Sequence, residues 1–248
     1  MLKHIYVCLV PMSLLYLFES AVRTSIIDII QGAPEVSLGT RLFVSFNILD
    51  KAIQQYQKNQ INFNTLKSDI DFSSQKDTLH SLDTKLHYIV NEVRRYAFLS
   101  KLQTVAFDYI VFERFTKLII LTNEYFSRNN FEKYLKDLDD FRKDTKFLGT
   151  FYNNYWVYRI FSDIIVIPDY EQAKEKLLHI AAEFCLIQTF ALVSYANKGK
   201  FDKDEYIYII SCIGRMMEHN KSIYEKVTTS LKENNAINVA GLLLMILV

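Results

Sequence analysis

The chain has 248 residues, half of them hydrophobic, and its 29 basic and 28 acidic side chains leave a formal charge of +1. This composition supplies a substantial core, while the near-zero charge provides no global field to attract nucleic acid or an anionic membrane. We therefore expect a folded protein that binds no nucleic acid. Turns and hairpins consume Gly and Pro, and since only 6 Gly and 3 Pro occur, the sequence predicts an all-α fold.

The amino terminus combines a basic start with an apolar run. Lys3 precedes a stretch from 5 to 18 without any charge, which resembles a secretory signal but is too short to span a bilayer. The apolar pattern continues at helical spacing to Ile30 instead of breaking. We therefore expect a first helix, a cytoplasmic protein and no stable membrane span. Export, with residues 1–21 acting as a signal, is the alternative.

The first part of the chain predicts helices with clear boundaries. A helix from about 12 to 31 should stop at Gly32-Ala33-Pro34, because Gly favours a helix end and Pro excludes the preceding residue from the helical region. Ser37 is a suitable cap for a second helix, whose apolar positions recur at helical spacing. Residues 59–75 are the most polar and least periodic, and they predict a loop or a soft boundary within a single domain of residues 1–248.

The rest of the chain predicts further helices around a central one. A helical region from about 75 to 127, interrupted near Ser100, precedes a charged helix over 131–143. Residues 173–196 predict a buried central helix, because from 180 to 193 the polar residues are only Glu183, Gln188 and Thr189. About nine helices then form an irregular bundle. The helix that begins near Asp202 should turn these residues towards the core: Ile207, Ile210, Ile213, Gly214 and Met217.

Several familiar chemistries have no motif in this sequence. A glycine-rich phosphate loop, a dinucleotide fingerprint, a His-Glu-x-x-His motif and a nucleophile elbow are all absent. Cys8, Cys185 and Cys212 form no close pair, and no two of the five histidines stand three or four positions apart. We therefore expect no metal site and a reducing compartment. Cys185 and Cys212 are interpreted as buried small hydrophobic residues.

Seven aromatic residues crowd into residues 147–161, a density typical of a packing seam or a pocket wall. Within this stretch Tyr155 and Arg159 stand four apart, so one interpretation is an arginine stacked on a tyrosine at a helix interface. An arginine in a helical interior must be paired or used, because burying it alone is costly. Glu183 lies in the most apolar helix. Unless it meets Arg159 or Arg215, we expect burial to raise the pKa of its carboxyl.

A second polar constellation occupies residues 215–220. Arg215, Glu218 and His219 project from one side of a helix, since they are three and four positions apart. The structural interpretation is an ion pair between Arg215 and Glu218, with His219 at the helix end, where the dipole favours a cation. The alternative is that these residues belong to a functional site.

A family resemblance lies in the same residues. Residues 153–161, the apolar helix 173–196 and residues 210–220 resemble the carboxyl-terminal part of the flagellin lysine-N-methylase family. Residues 23–41 resemble the middle region of that family. Its cysteine-rich cluster near the amino terminus, thought to hold metal, has no counterpart here. The resemblance therefore implies a truncated member, in which we do not expect the metal cluster of the family.

The implied activity is methyl transfer to lysine side chains of flagellin, with S-adenosylmethionine as the donor. A lysine must lose its proton before it attacks, and residue type and spacing make Tyr155, Glu218 and His219 the catalytic candidates. The alternative function is that of a non-catalytic helical binding or scaffold protein, which recognises a protein partner.

Donor binding would use other residues of the same two constellations. The donor sulfonium is a cation that aromatic faces stabilise, and an arginine grips a carboxylate in a bidentate manner. The cofactor-binding candidates for S-adenosylmethionine are therefore Tyr158, Arg159 and Arg215.

Overall fold

The computed structural model describes residues 12–58, 61–73, 76–89, 96, 113–162, 170–219, 222, 225–227 and 229. All regular structure in these residues is helical, which confirms the predicted all-α class. The α-helices are α1 Met12–Gly32, α2 Leu38–Gln57, α3 Phe63–Ser73, α4 Lys76–Ile89, α5 Glu113–Arg128, α6 Phe131–Asp144, α7 Gly149–Ser162, α8 Tyr170–Lys198 and α9 Lys203–His219. A short 3₁₀ helix, Lys146–Leu148, joins α6 to α7.

The junction between α1 and α2 follows the predicted capping signals. The last residue of α1 is Gly32, and the Ser37 hydroxyl accepts a hydrogen bond from the Thr40 amide at 3.3 Å, which caps α2. Arg41 is buried and reaches back across the junction, donating from Nε to the Val36 carbonyl at 3.1 Å and from Nη1 to the Ile30 carbonyl. The two helices are therefore tied together at the carboxyl end of α1.

The polar stretch 59–75 does not form the predicted loop, because α3 occupies Phe63–Ser73. The Asn62 side chain accepts a hydrogen bond from the Thr65 amide at 3.1 Å, so an asparagine in this stretch starts a helix. The low hydrophobicity of this segment made it look like a loop in the sequence, but α3 packs against α2 and α4. The division of the chain into domains stays a prediction.

The central helix of the prediction is confirmed. Every residue from Leu177 to Ser194 on α8 is buried, and α8 packs against α5, α6 and α9. Within the described part of the chain, residues 175–198 are long and apolar enough to cross a membrane by length and composition alone. The 18-residue window that gives this result lies entirely inside the fold, and a buried core helix has the same properties.

The predicted core face of α9 is confirmed at Ile213 and Met217 and is wrong at Ile207. The buried residues are Tyr206, Ile209, Ile213 and Met217, whereas Ile207 is 51% exposed. The Tyr206 ring occupies the core position, where it packs against two other rings. Its centroid lies 5.5 Å from that of Phe201 and 5.8 Å from that of Phe151. Gly214 does face α8, as predicted.

Some predictions lie outside the described residues. These include the signal-like residues 1–11, the interruption near Ser100 and Cys8. Cys185 is buried, as predicted, and Cys212 is half-buried beside Tyr208.

Candidate functional site

The inner face of α7 carries the residues that build the candidate site. Tyr152, Trp156 and Arg159 are four and three positions apart, a spacing that places them on one side of a helix. Trp156 and Arg159 are buried, and Tyr152 is half-buried. This side of α7 meets α8 at Glu183 and Phe184.

Arg159 and Glu183 form an ion pair in the interior. Arg159 Nη1 lies 2.9 Å from Glu183 Oε2 and donates to Oε1 at 3.0 Å. Glu183 is 2% exposed and Arg159 is 9% exposed. The sequence predicted that Glu183 needs Arg159 or Arg215 as its partner, and in the structure this partner is Arg159.

Three aromatic rings of α7 surround the Phe184 ring of α8. Its centroid lies 5.3 Å from Tyr152, 5.6 Å from Tyr155 and 5.7 Å from Trp156. Tyr152 and Trp156 pack edge-to-face with this ring, while Tyr155 is tilted by 31°. We call Tyr152, Tyr155, Trp156 and Phe184 the aromatic cluster. It adjoins the ion pair, because Glu183 immediately precedes Phe184.

Three buried polar atoms beside the aromatic cluster have no well-formed hydrogen bond within the part of the chain that the structure describes. The Tyr152 and Tyr206 hydroxyls lie near each other without satisfying hydrogen-bond geometry, and neither they nor Trp156 Nε1 has a hydrogen-bond partner among the described residues. Buried donors of this kind normally bind protein, water or a ligand. The site is therefore chemically suited to a ligand that accepts hydrogen bonds.

Burial keeps the tyrosines of this site neutral. It raises the pKa of Tyr152 to about 12, and it raises the pKa of Tyr206 further, assisted by the proximity of Tyr152. Both phenols are protonated at neutral pH. They can donate hydrogen bonds there, but they are poor bases.

Gly214 places the backbone of α9 beside this site. A Cβ at Gly214 would lie 3.7 Å from Glu183 Oε1, an ordinary van der Waals distance, so only a small residue fits without displacing the carboxylate. Three helices, α7, α8 and α9, thus meet at Glu183.

Comparison with known proteins matches residues 23–245 to the family described as FliB lysine N-methylase C-terminal domain. The match covers most of the chain. The chain belongs to this family. No curated protein and no solved structure matches it. The resemblance seen in the sequence is confirmed at the level of the FliB C-terminal domain.

The predicted site residues of this FliB domain fall into two groups. Tyr155 and Arg159 both lie at the junction of α7 with α8, where Tyr155 is half-buried. Tyr158 is 65% exposed, on the outer side of α7, and Arg215 is exposed on α9. The side chains of Glu218 and His219, at the end of α9, lie outside the described residues.

Sequence reasoning missed a second polar site in the FliB domain. A surface cavity of about 270 Å³ lies between α5, α6 and α8. Tyr125 and Asp137, both buried, line it, and the Tyr125 hydroxyl donates to Asp137 Oδ2 at 2.8 Å. One signal was present in the sequence, since Asp137 lies on the same face of α6 as the apolar residues Tyr134, Leu138 and Phe141.

Proposed function

We propose that this FliB domain transfers methyl groups to lysine side chains of flagellin, at the aromatic cluster where α7, α8 and α9 meet. Membership of the FliB lysine N-methylase C-terminal domain family supports the reaction class. The observation that supports the position is the Phe184 ring, which three aromatic rings of α7 surround, with buried donors nearby that have no well-formed hydrogen bond among the described residues.

The chemistry fits an aromatic site. S-adenosylmethionine, the proposed donor, supplies an electrophilic methyl group on a sulfonium cation when bound. Aromatic faces stabilise cations, and the ring of the half-buried Tyr155 would hold the charged part of the donor. The Tyr152 and Tyr206 hydroxyls have no hydrogen bond of good geometry within the described ranges, and their raised pKa values leave them protonated and able to donate.

The arginines divide their roles in this proposal. Arg159 is engaged with Glu183, so we assign it to positioning that carboxylate and the wall of the site. Arg215 is exposed on the neighbouring helix, and we propose that it meets the carboxylate of the donor. Tyr158, exposed on α7, would contact the substrate or donor from outside.

The attacking lysine needs to lose its proton. Tyr152 and Tyr206 are poor bases at neutral pH, since burial raises their pKa values. Desolvation against the aromatic cluster would itself favour the neutral amine. Proton acceptance by His219 or Glu218 stays a prediction, as does the catalytic role of Tyr155.

Calorimetric titration with S-adenosylmethionine tests the donor site. We expect saturable binding by the wild type, weakened about tenfold or more in Arg215→Ala, as for the loss of a charge-assisted hydrogen bond. Lys203→Ala, at an exposed position of the same helix, is the control and should bind like the wild type. Unchanged binding in Arg215→Ala would remove this arginine from the site, and no binding by the wild type would oppose the donor proposal.

A second candidate function is recognition of a protein partner without catalysis, and we propose flagellin as this partner. An exposed aromatic stripe favours it. Phe147, Phe151, Tyr158 and Phe161 are each more than a third exposed, and their spacing places them along one side of the 3₁₀ helix and α7. Aromatic residues concentrated on an exposed face are typical of binding surfaces.

Titration of the protein with purified flagellin, without donor, tests this second function. Tyr158→Ser and Phe161→Ser should weaken the complex, because each removes a large apolar contact. Ile120→Ser is the matched control, since Ile120 is exposed on α5. Equal affinity in all three variants would exclude the stripe as the binding surface.

A further inference from the structure

The cavity between α5, α6 and α8 is lined by opposite charges in balanced number. Glu124 and Asp137 supply two carboxylates, and Arg128 and Lys133 supply two cations. Glu124 Oε2 lies 3.4 Å from Arg128 Nη1, and the Lys133 ammonium contacts Asp137 Oδ1. The lining therefore has no net charge but strong local fields of both signs.

Depth separates the two ion pairs. Arg128 and Glu124 are exposed at the rim, with side chains 74% and 46% exposed. Asp137, by contrast, is buried, where it accepts hydrogen bonds from both Tyr125 and Lys133. Burial, reinforced by the hydrogen bond to Asp137, raises the pKa of the Tyr125 hydroxyl, so that hydroxyl donates at neutral pH.

The remaining lining completes the chemistry of a small-molecule site. Asn129 and Asn197 add amide groups that can donate and accept hydrogen bonds. Leu121, Val193 and Ala196 form an apolar wall. A cavity with an apolar wall and a few convergent polar groups is typical of small-ligand sites.

We propose that this cavity binds a zwitterionic α-amino acid head group. Its ammonium would be taken by Asp137 and Glu124, and its carboxylate by Lys133 and Arg128. The apolar wall would take the side chain. A ligand with one charge would leave one member of the ion pair that it opens without a counter-charge, whereas a zwitterion supplies a counter-charge to both members.

This inference goes beyond the proposed function and does not rest on it. Val193 is ten residues from Glu183 on α8, which places the cavity about 15 Å along the helix from the ion pair with Arg159. Two sources share the head-group chemistry: a free amino acid, and the methionine end of S-adenosylmethionine. The experiment is designed to separate them.

The test is calorimetric titration of the full chain with methionine, S-adenosylmethionine, butylamine and butyrate. We expect saturable binding of methionine or S-adenosylmethionine, and much weaker binding of the two singly charged compounds. Binding of methionine identifies a free amino acid as the ligand. Binding of S-adenosylmethionine without methionine identifies the methionine end of S-adenosylmethionine as the ligand of this cavity only if Lys133→Gln weakens it and Arg215→Ala does not, and that result would move the donor away from the aromatic cluster.

Variants locate the binding. Lys133→Gln, at a half-exposed position, should weaken it about tenfold or more, since it removes one charge-assisted hydrogen bond. Ala196→Leu fills the cavity without changing any charge and should abolish it. Lys143→Gln changes an exposed ion pair with Asp139 on the same helix and should leave the affinity unchanged.

Three results would overturn the inference. One is the absence of saturable binding by both amino-acid compounds. Another is binding that survives both Lys133→Gln and Ala196→Leu. The third is butylamine or butyrate binding as tightly as methionine, which would show a site for a single charge. The donor proposal is tested with Arg215→Ala and this inference with Lys133→Gln and Ala196→Leu. A negative result for one therefore leaves the other standing.

Discussion

Arg159 on α7 and Glu183 on α8 form an ion pair in which guanidinium Nη1 lies 2.9 and 3.0 Å from the two carboxylate oxygens. Both residues are buried, so neither charge is compensated by bulk water. The pair fixes the register of α7 on α8 beside the aromatic cluster, and it is the polar centre of the candidate site.

Breaking the Arg159–Glu183 pair should destabilise the fold strongly. Glu183→Leu or Arg159→Met should each lower the free energy of unfolding by about 3–5 kcal/mol, because each leaves a buried charge facing an apolar side chain. The double variant Arg159→Met, Glu183→Leu should cost less than the sum. Urea denaturation of all four proteins gives the coupling. Additive effects would show that the two residues do not stabilise each other.

Gly214 offers a stabilising substitution beside the same carboxylate. Gly214→Ala should raise the free energy of unfolding by roughly 0.5–1 kcal/mol, since alanine favours a helix and its Cβ would meet Glu183 only at van der Waals distance. Gly214→Leu should lower it by forcing a larger side chain onto the pair. Thermal and urea unfolding measure both changes. A destabilised Gly214→Ala would mean that α9 lies closer to α8 than described.

The raised pKa of Tyr152 should make the folded protein less stable in alkaline solution. Its folded-state pKa of about 12 exceeds the unfolded value near 10, so the folded state favours the protonated phenol. That contribution is fully present below pH 10 and is lost as the pH rises from 10 towards 12. The stability of the wild type relative to Tyr152→Phe should therefore fall across this window. Tyr158→Phe, at an exposed position of α7, corrects for the loss of a phenol, and a difference that stays flat with pH would contradict the prediction.

Arg41 lies away from the candidate site, and we expect it to stabilise the junction of α1 and α2. Arg41→Ala should lower the free energy of unfolding by about 2–3 kcal/mol, because it leaves the carbonyls of Ile30 and Val36 without a charged donor. Arg41→Lys should recover only part of this loss, since lysine lacks the guanidinium fork. Urea denaturation measures both, with the exposed Gln57→Ala as control. A loss no larger than that of Gln57→Ala would contradict the capping role.

Local signals in the sequence predicted much of the fold. Gly32 and Ser37 marked helix boundaries correctly, because caps act within one turn. The helix α3 was missed, since its polarity looked like that of a loop and Asn62 was not recognised as its cap. The face of α9 was misjudged because periodicity alone cannot show that Tyr206, rather than Ile207, fits between Phe151 and Phe201.

The candidate site was predictable only in part. A carboxylate in the most apolar helix requires a partner, and this reasoning led to Arg159 as one of two choices for Glu183. The cavity beside Asp137 was not predicted, because its lining comes from segments that are distant in sequence and meet only after α5, α6 and α8 pack.

The most direct test of methyl transfer at the aromatic cluster uses purified flagellin and S-adenosylmethionine with an isotopically labelled methyl group. Peptide mass spectrometry should find the label on flagellin lysines with the wild-type chain, and much less of it with a folded Tyr155→Ala variant. Exposed Ile120→Ala serves as the control and should match the wild type. Flagellin that gains no label, although it binds the chain, would contradict the enzyme proposal and favour recognition without chemistry.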